Sequence, residues 1–378
     1  MKNYKIWISP PHLSGKELDF VKDAFEKNWI TSAGDNVNGF EADLQDFIGK
    51  ENQVVALNSG TSALQLALLL LGVKKGDLVI CQDFTFVASI NPVAYLEAEP
   101  ILVDSEKDTW NMSPEYLEDA IRSCLKRGRK PKAIMWVNLY GMPAKIKEIQ
   151  EIAKRYEIPL VEDAAESLGS AYLGQKCGSF GDLSILSFNG NKIITTSGGG
   201  ALLSKRKEWI TRARYLSSQA KEDKPYYHHS ELGYNYGMSN ILAGIGRAQM
   251  KVLNDRIKAR RSINDFYQKV FMDFPGIEVQ KEPNVDYFSN FWLSCILTDA
   301  TENKKMNPEL IRERLANKGI ESRYLWQPMH KQPLYKSCLY FGEDVAGDFF
   351  NRGLCLPSGS TLTETDLSEI AEIIKTGN

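Results

Sequence analysis

Lys192 stands in the run Ser187-Phe188-Asn189-Gly190-Asn191-Lys192-Ile193-Ile194-Thr195-Thr196-Ser197-Gly198-Gly199-Gly200. A lysine amine condenses with a carbonyl to a Schiff base, which is how pyridoxal phosphate is held and activated. The apolar segment 183–186 reads as a strand, which puts Ser187 at its carboxyl end. The closing glycines let backbone pack closely against a ligand or a neighbouring strand. Upstream, Ile158-Pro159-Leu160-Val161 reads as a second buried strand, with Glu162, Asp163, Ala164, Ala165 and Glu166 at its tip. A carboxylate there, near a Schiff-base lysine, is what a protonated pyridine nitrogen requires. The competing reading is a surface lysine and an N-capping aspartate.

Asn58-Ser59-Gly60-Thr61-Ser62-Ala63-Leu64 follows another strand and opens a helix. The first N–H groups of a helix have no internal partners, and its dipole favours an anion there. Gly60 allows close approach, and Thr61 and Ser62 add amides and hydroxyls, a set that fits a phosphate. An ordinary N-capped helix is the alternative. No Gly-Lys-Ser/Thr follows at Walker spacing, and no GxGxxG follows this strand. Phe86, in Asp83-Phe84-Thr85-Phe86-Val87-Ala88-Ser89, could stack on a flat heterocycle, although an aromatic at that place is more often core.

The elements that must position these residues alternate. Strands are expected at Gln53–Leu57, Leu78–Gln82, Ile101–Val103, Ala133–Asn138, Ile158–Val161, Leu183–Ser187 and Ala201–Ser204. Helical patterns start near Thr61, Val87, Pro114 and Ala144. That alternation predicts an α/β fold with a mostly parallel sheet, made mixed by its last strands, which no full helices separate. Ligands on such sheets bind beyond the carboxyl ends of the strands, where all the residues above fall. Helical spacing from Ser239 predicts one long helix over about 239–270, leading into a smaller α+β unit with a strand at 292–297 and helices at 308–318 and 364–375. The expected division is a large cofactor-binding domain with an N-terminal arm over 1–250 and a small C-terminal domain over 251–378.

A chain of 378 residues, 43% hydrophobic and 25% charged, has ample material for two cores. Its net charge of −2 gives no electrostatic case for nucleic acid or an anionic membrane. The start, Met1-Lys2-Asn3-Tyr4-Lys5, runs into Pro10-Pro11 without an apolar signal region, and Ala63–Val73 is too short to span a bilayer, so a cytoplasmic location is expected. Six scattered cysteines and four histidines, two of them the adjacent His228-His229, argue for reduced thiols and against a metal site. The basic cluster 126–130 reads as a solvated loop.

Taken together, these segments resemble the DegT/StrS family of pyridoxal-phosphate sugar aminotransferases nearly end to end. The resemblance rests on Trp29-Ile30, Gly34, Phe40-Glu41, Asn58–Leu64, Phe84–Ser89, Leu139-Tyr140-Gly141, Glu162–Gly169, Ser187–Gly200, Gly233–Asn240, Pro328-Met329-His330 and Leu356-Pro357-Ser358-Gly359. It implies fold type I. It also implies that Lys192 holds the cofactor and moves the proton, Asp163 pairs with the pyridine nitrogen, Phe86 stacks on the ring, and Glu166 lies near the phenolic oxygen. Gly60, Thr61, Ser62 and Ser187 would hold the phosphate. Asn235 matches an asparagine that reaches the phosphate from the other subunit, which implies a homodimer with shared sites. L-glutamate is the family's usual donor, and a nucleotide-linked keto-sugar is the acceptor.

The form Asn189-Gly190-Asn191-Lys192 with Thr196–Gly200, and the run Arg323–His330, resemble the branch that aminates UDP-4-keto-6-deoxy-N-acetylglucosamine towards bacillosamine. Arg323 and His330 are the cationic candidates for a nucleotide-sugar, with structural roles equally open. Gly237 departs from the pattern, standing where a basic residue usually follows Gly-Tyr-Asn-Tyr. Competing functions are a C3-aminotransferase on a dTDP-keto-sugar, a sugar 3-dehydratase, a non-catalytic cofactor-binding regulator and a nucleotide-binding module. The dehydratase would place histidine where Lys192 stands, and the last would leave Lys192 and Asp163 unexplained.

Overall fold

The expected alternation builds an eight-stranded sheet in the computed structural model, which describes residues 4–376; Met1–Asn3 of the amino-terminal segment lie outside them. In chain order its first strands are β1 (Gln53–Leu57), β2 (Leu78–Gln82), β3 (Glu99–Val103), β4 (Ala133–Val137), β5 (Leu160–Asp163), β6 (Leu183–Ser187) and β7 (Gly200–Ser204). The C-terminal part adds β8 (Ile277–Val279), β9 (Ser294–Thr298), β10 (Arg323–Tyr324), β11 (Leu339–Phe341) and β12 (Gly353–Leu356). The large sheet runs β1-β7-β6-β5-β4-β2-β3-β11. Neighbours from β6 to β11 are parallel, whereas β7 is antiparallel to both β1 and β6. The sheet is mixed, as its last strands predicted.

Strands β2 and β4 are buried along their whole length because helices cover both faces of the sheet. On one face the helix Gly60–Leu70 is buried from Ser62 to Leu68 and packs on Val55, Val79, Cys81 and Leu202. A helix so enclosed is apolar nearly all round rather than along one stripe. On the other face, helices Pro114–Lys126 and Ile146–Tyr156 bury Leu117, Ile121, Ile149 and Ile152 against Ile80, Ile134 and Trp136.

The single helix expected over 239–270 is two, Asn240–Met250 and Leu253–Phe271. Lys251 and Val252 donate to carbonyls three residues back, and Val252 leaves helical geometry at φ −115, ψ 6. No glycine or proline marks the break, so the periodicity runs through it. The Val87 pattern also shrinks, to a short 3-10 turn, Val87–Ser89, and the helix Asn91–Tyr95.

The smaller C-terminal domain is an antiparallel sheet in the order β8-β9-β12-β10, covered by helices Leu253–Phe271, Pro308–Asn317 and Glu364–Thr376. The two parts are laced together. Strand β11 returns to the edge of the large sheet, and Ile6 of the N-terminal arm bridges to Ile320 and packs in the small core. Five of the six cysteines are buried and all are free. Among the described residues, no group of His, Cys, Asp and Glu could hold a metal, and no helix is long and apolar enough to cross a membrane. In the basic cluster, Arg129 pairs with Glu99 on the surface.

Candidate active site

Lys192 leaves the carboxyl end of β6 through a tight turn in which its amide donates to the Asn189 carbonyl (2.9 Å). Its side chain, only 12% exposed, turns inward, placing Nζ 3.2 Å from Glu166 Oε1 and 4.2 Å from the centroid of the Trp292 ring. Glu166 Oε2 accepts the Tyr140 amide at 2.7 Å. Tyr140 makes that amide available by adopting a left-handed backbone (φ +55), an uncommon conformation for a large side chain. Burial raises the Glu166 carboxyl; Lys192 and the Tyr140 amide pull it back, and Asp163 raises it further.

Asp163 ends β5 and is buried. Its Oδ2 accepts from Ser89 Oγ at 2.7 Å and its Oδ1 from the Ala165 amide at 3.0 Å, while Ser89 Oγ also meets Thr85 Oγ1 at 2.8 Å. Burial raises the Asp163 carboxyl, and Ser89, the Ala165 amide and Lys192 oppose it only in part. The anion is therefore short of counter-charge. A protonated pyridine nitrogen would supply it, so the chemistry of this carboxylate fits a pyridoxal cofactor.

The anion cradle is built by close backbone approach. A Cβ on Gly200 would fall 2.4 Å from the Ser59 carbonyl carbon and 2.5 Å from the Gly60 nitrogen, so β7 can pass the helix start only as glycine. A Cβ on Gly60 would lie 3.2 Å from Ser187 Cβ and 3.5 Å from its hydroxyl, which puts Ser187 beside the helix start. The Gly60 and Thr61 amides have no partner among the described residues. Ser62 differs from the expectation. Its amide caps onto Ser59 Oγ (3.0 Å) and its hydroxyl donates to Asn58 Oδ1 (2.6 Å), so both donors are already engaged. A Ser-x-x-Ser start is an N-cap pattern, and the cap takes the third amide.

Phe86 is not core. It is 46% exposed beside Trp326, ring centroids 4.9 Å apart, which leaves a face for stacking. Asn235 is exposed, and its carbonyl accepts from Asn58 Nδ2 (3.2 Å) just before the cradle of its own chain. A Cβ at Gly237 would make only an ordinary 3.5 Å contact with Ser32, so a side chain there has room.

Arg323 and His330 are not brought to Lys192 as a pair. Arg323 donates to Glu321 through Nε (2.8 Å) and Nη2 (2.6 Å). It lines a cavity of about 340 Å³ shared with Trp7–Pro11 of the arm and with Gly190 and Asn191. His330 has both ring nitrogens on carboxylates, Nδ1 2.7 Å from Asp83 and Nε2 3.1 Å from Asp344. Burial disfavours its charge, yet those two carboxylates outweigh burial and raise it above the ordinary histidine value. That is the environment of a structural clamp rather than of a free anion donor. Among the described residues, His228 and His229 belong to no group of acids or thiols that could hold a metal.

Sequence reasoning assigned no part to Trp292, Ser89 or the Tyr140 amide. Ser89 lies in a segment already singled out, but its bond to Asp163 depends on the fold bringing β2 beside β5 through β4. Trp292 lies a hundred positions from Lys192 and carries no motif.

A mixed α/β sheet with a buried lysine and carboxylate at its carboxyl strand ends, joined to a smaller C-terminal domain, is the architecture of the fold type I pyridoxal-phosphate transferases. The chain belongs to the DegT/DnrJ/EryC1/StrS aminotransferase family, which matches residues 11–375. It is 46% identical over 374 residues to EpsN of Bacillus subtilis (strain 168), whose name places it among pyridoxal phosphate-dependent aminotransferases; the alignment covers 98% of this chain and 95% of that one. It is 38% identical over 370 residues to a GDP-perosamine synthase of Escherichia coli O157:H7, covering 97% of each. Among solved structures, a DegT DnrJ EryC1 StrS aminotransferase from Brucella abortus superposes with a TM-score of 0.88 at 29% identity, covering 95% of this chain and 94% of that one. The PLP form of Spr1654 from Streptococcus pneumoniae, described as a sugar aminotransferase, superposes at 0.90 and 27% identity, covering 99% and 98%.

Proposed function

We propose that this aminotransferase uses pyridoxal phosphate to move an amino group from L-glutamate to C4 of a nucleotide-linked 4-keto-6-deoxy sugar, with UDP-4-keto-6-deoxy-N-acetylglucosamine as the acceptor. The observation that carries the reading is the amine of Lys192 held against Glu166 and Trp292 at the same strand ends as Asp163 and the cradle at Gly60.

Pyridoxal phosphate, when bound, supplies the electron sink that lets a Cα–H bond of the donor break. Lys192 holds it and then serves as the base that takes and returns the proton at Nζ. Asp163 keeps the pyridine nitrogen protonated, helped by Ser89, which fixes one carboxylate oxygen. The Gly60 and Thr61 amides and the Ser187 hydroxyl take the phosphate, with Ser62 acting through its cap on Ser59. Phe86 would offer a ring face, and Glu166 would lie on the phenolic side. Asn235 of a second copy completes each phosphate site in a homodimer. A cofactor-binding part to about residue 250, a smaller part after it and a cytoplasmic setting complete the proposal.

The sugar assignment leans on the Asn189–Gly200 and Arg323–His330 runs. A UDP-4-amino-4,6-dideoxy-N-acetyl-beta-L-altrosamine transaminase of Campylobacter jejuni, 32% identical over 374 residues, supports a UDP-linked acetamido sugar. The GDP-perosamine synthase at 38% identity favours a second reading, a GDP-linked sugar. Amine transfer from glutamate to matched UDP-, GDP- and dTDP-4-keto-6-deoxy sugars, with and without a 2-acetamido group, separates the two. Preference for the UDP acetamido sugar supports the first reading. Preference for the GDP sugar replaces it with the second and leaves the aminotransferase chemistry standing.

A further inference from the structure

Trp292 lies just before β9, far from Lys192 in sequence, yet two contacts lock it to the Lys192 turn and a third ties it to Glu166. Its ring faces Nζ at 4.2 Å. Its indole Nε1 donates to the carbonyl of Asn191, the residue before the lysine, at 2.7 Å. Its backbone amide donates to Asn290 Oδ1 (2.8 Å), and Asn290 Nδ2 donates to the Glu166 carbonyl (3.0 Å), tying the Trp292 backbone to that of the lysine's carboxylate partner. The side chain is 1% exposed and lies parallel to the Tyr140 ring, 15° between planes and 6.5 Å between centroids. From behind, the buried Arg260 guanidinium donates to the Trp292 carbonyl and to Ser9 Oγ (2.9 Å), and Ser9 Oγ donates to the same Asn191 carbonyl (2.7 Å). Among the described residues, the cation over this ring is Lys192.

We infer that Trp292 is a positioning residue for Lys192: its ring face holds Nζ in the cofactor-free protein, and its indole N–H fixes the turn from which the lysine swings. The inference rests on Lys192 as the cofactor lysine. An aromatic face attracts an ammonium electrostatically, most strongly for tryptophan and more so when the pair is desolvated, as here. The charged groups around Nζ are Glu166, which pairs with it, and Asp163, which acts on it at longer range; Arg260 bonds the Trp292 backbone carbonyl. Trp292 thus adds a neutral contact to Nζ beside its ion pair with Glu166.

The test is competitive acylation of lysines in the cofactor-free protein with trace acetic anhydride at one fixed pH, read by peptide mass spectrometry and normalised to the exposed Lys147. Trp292→Leu should acylate Lys192 about 3- to 30-fold faster than wild type, because the amine loses the ring that covers and holds it. Trp292→Phe keeps a weaker face, loses the N–H and should fall between. If the Leu variant does not fold, the Phe variant alone decides, with an expected rise of about 2- to 5-fold. Equal Lys192 rates in wild type and variants would overturn the inference. The reading of Lys192 as the cofactor lysine is tested separately by borohydride trapping in wild type, so failure of one is distinguishable from failure of the other.

Discussion

Lys192 Nζ and Glu166 Oε1 lie 3.2 Å apart in a pair whose side chains are 12% and 4% exposed, reached from two neighbouring parallel strand ends, β6 and β5. A buried carboxylate is expensive unless its lone pairs are taken, and Glu166 divides its oxygens between the amine and the Tyr140 amide. Glu166→Leu should therefore lower the stability of the cofactor-free protein by about 3–5 kcal/mol. Glu166→Gln, which still accepts from the Tyr140 amide, should cost clearly less. Urea midpoints in the order wild type, Gln, Leu are the expected result; equal midpoints for the two variants would show that the Tyr140 contact carries nothing.

Gly200→Ala should disrupt the cradle, since its Cβ would meet the Ser59–Gly60 backbone at 2.4–2.5 Å. Overpacking of this kind costs about 1–3 kcal/mol. Here it displaces the amides that would take the phosphate, so retention of pyridoxal phosphate in dialysis should fall about tenfold or more. Gly198→Ala, which meets nothing within 4 Å, is the matched control and should retain cofactor normally.

Asn235 is exposed, and its own carbonyl is engaged by Asn58 beside the cradle of its own chain. If its amide completes the site of a second copy, Lys192→Ala and Asn235→Ala subunits should partly complement when mixed. A mixed dimer then has one site free of both lesions. Asn235→Ala alone should weaken cofactor binding by about 1.5–3 kcal/mol, the scale of one hydrogen bond to a charged group. No recovered activity, once subunit exchange is shown by mass, would place Asn235 within its own site.

The His330 clamp gives a pH-dependent stability. Asp83 is fully buried, and burial raises its carboxyl despite the imidazole, while Asp83 and Asp344 together raise His330 in spite of burial. A histidine raised on folding adds stability that is fully present below its unfolded value of about 6.5 and is lost as pH rises through the folded value. Thermal scans of wild type against His330→Gln should therefore show a larger gap at pH 6 than at pH 9. Removing one partner of a buried pair costs about 3 kcal/mol at the lower pH. A gap that does not change with pH would mean the imidazole is neutral throughout.

Seven of the eight strands in the large sheet, and β9 in the small one, were legible to within about two residues, because buried strands read as short apolar runs whichever helix covers them; β8, β10, β11 and β12 were not read. Lys192 and Asp163 could be read because strand tips are where such sheets bind ligands, and Gly200 because three glycines in a row have few other uses. The break at Lys251–Val252 was hidden because the apolar spacing continues through it and no breaker residue stands there. Phe86 was weighed as core, since an aromatic in an apolar segment gives no sign of which side of the sheet's rim it falls on. The cap by Ser59 was readable in the Asn58–Ser62 pattern, and it removes Ser62 from the free donors. Trp292 was beyond reach from sequence, because its role arises only when the C-terminal domain folds against the Lys192 turn.

The central claim is that Lys192 alone carries the cofactor. Protein purified with pyridoxal phosphate should show a Schiff-base absorbance near the visible edge that borohydride removes, and peptide mass mapping of the reduced protein should find the phosphopyridoxyl group on Lys192. Lys192→Ala should lose that label together with all turnover, and Lys192→Arg should do the same, because a guanidinium neither condenses with the aldehyde nor releases its proton. A label on another lysine, or a tenth or more of wild-type turnover in Lys192→Ala, would contradict the account.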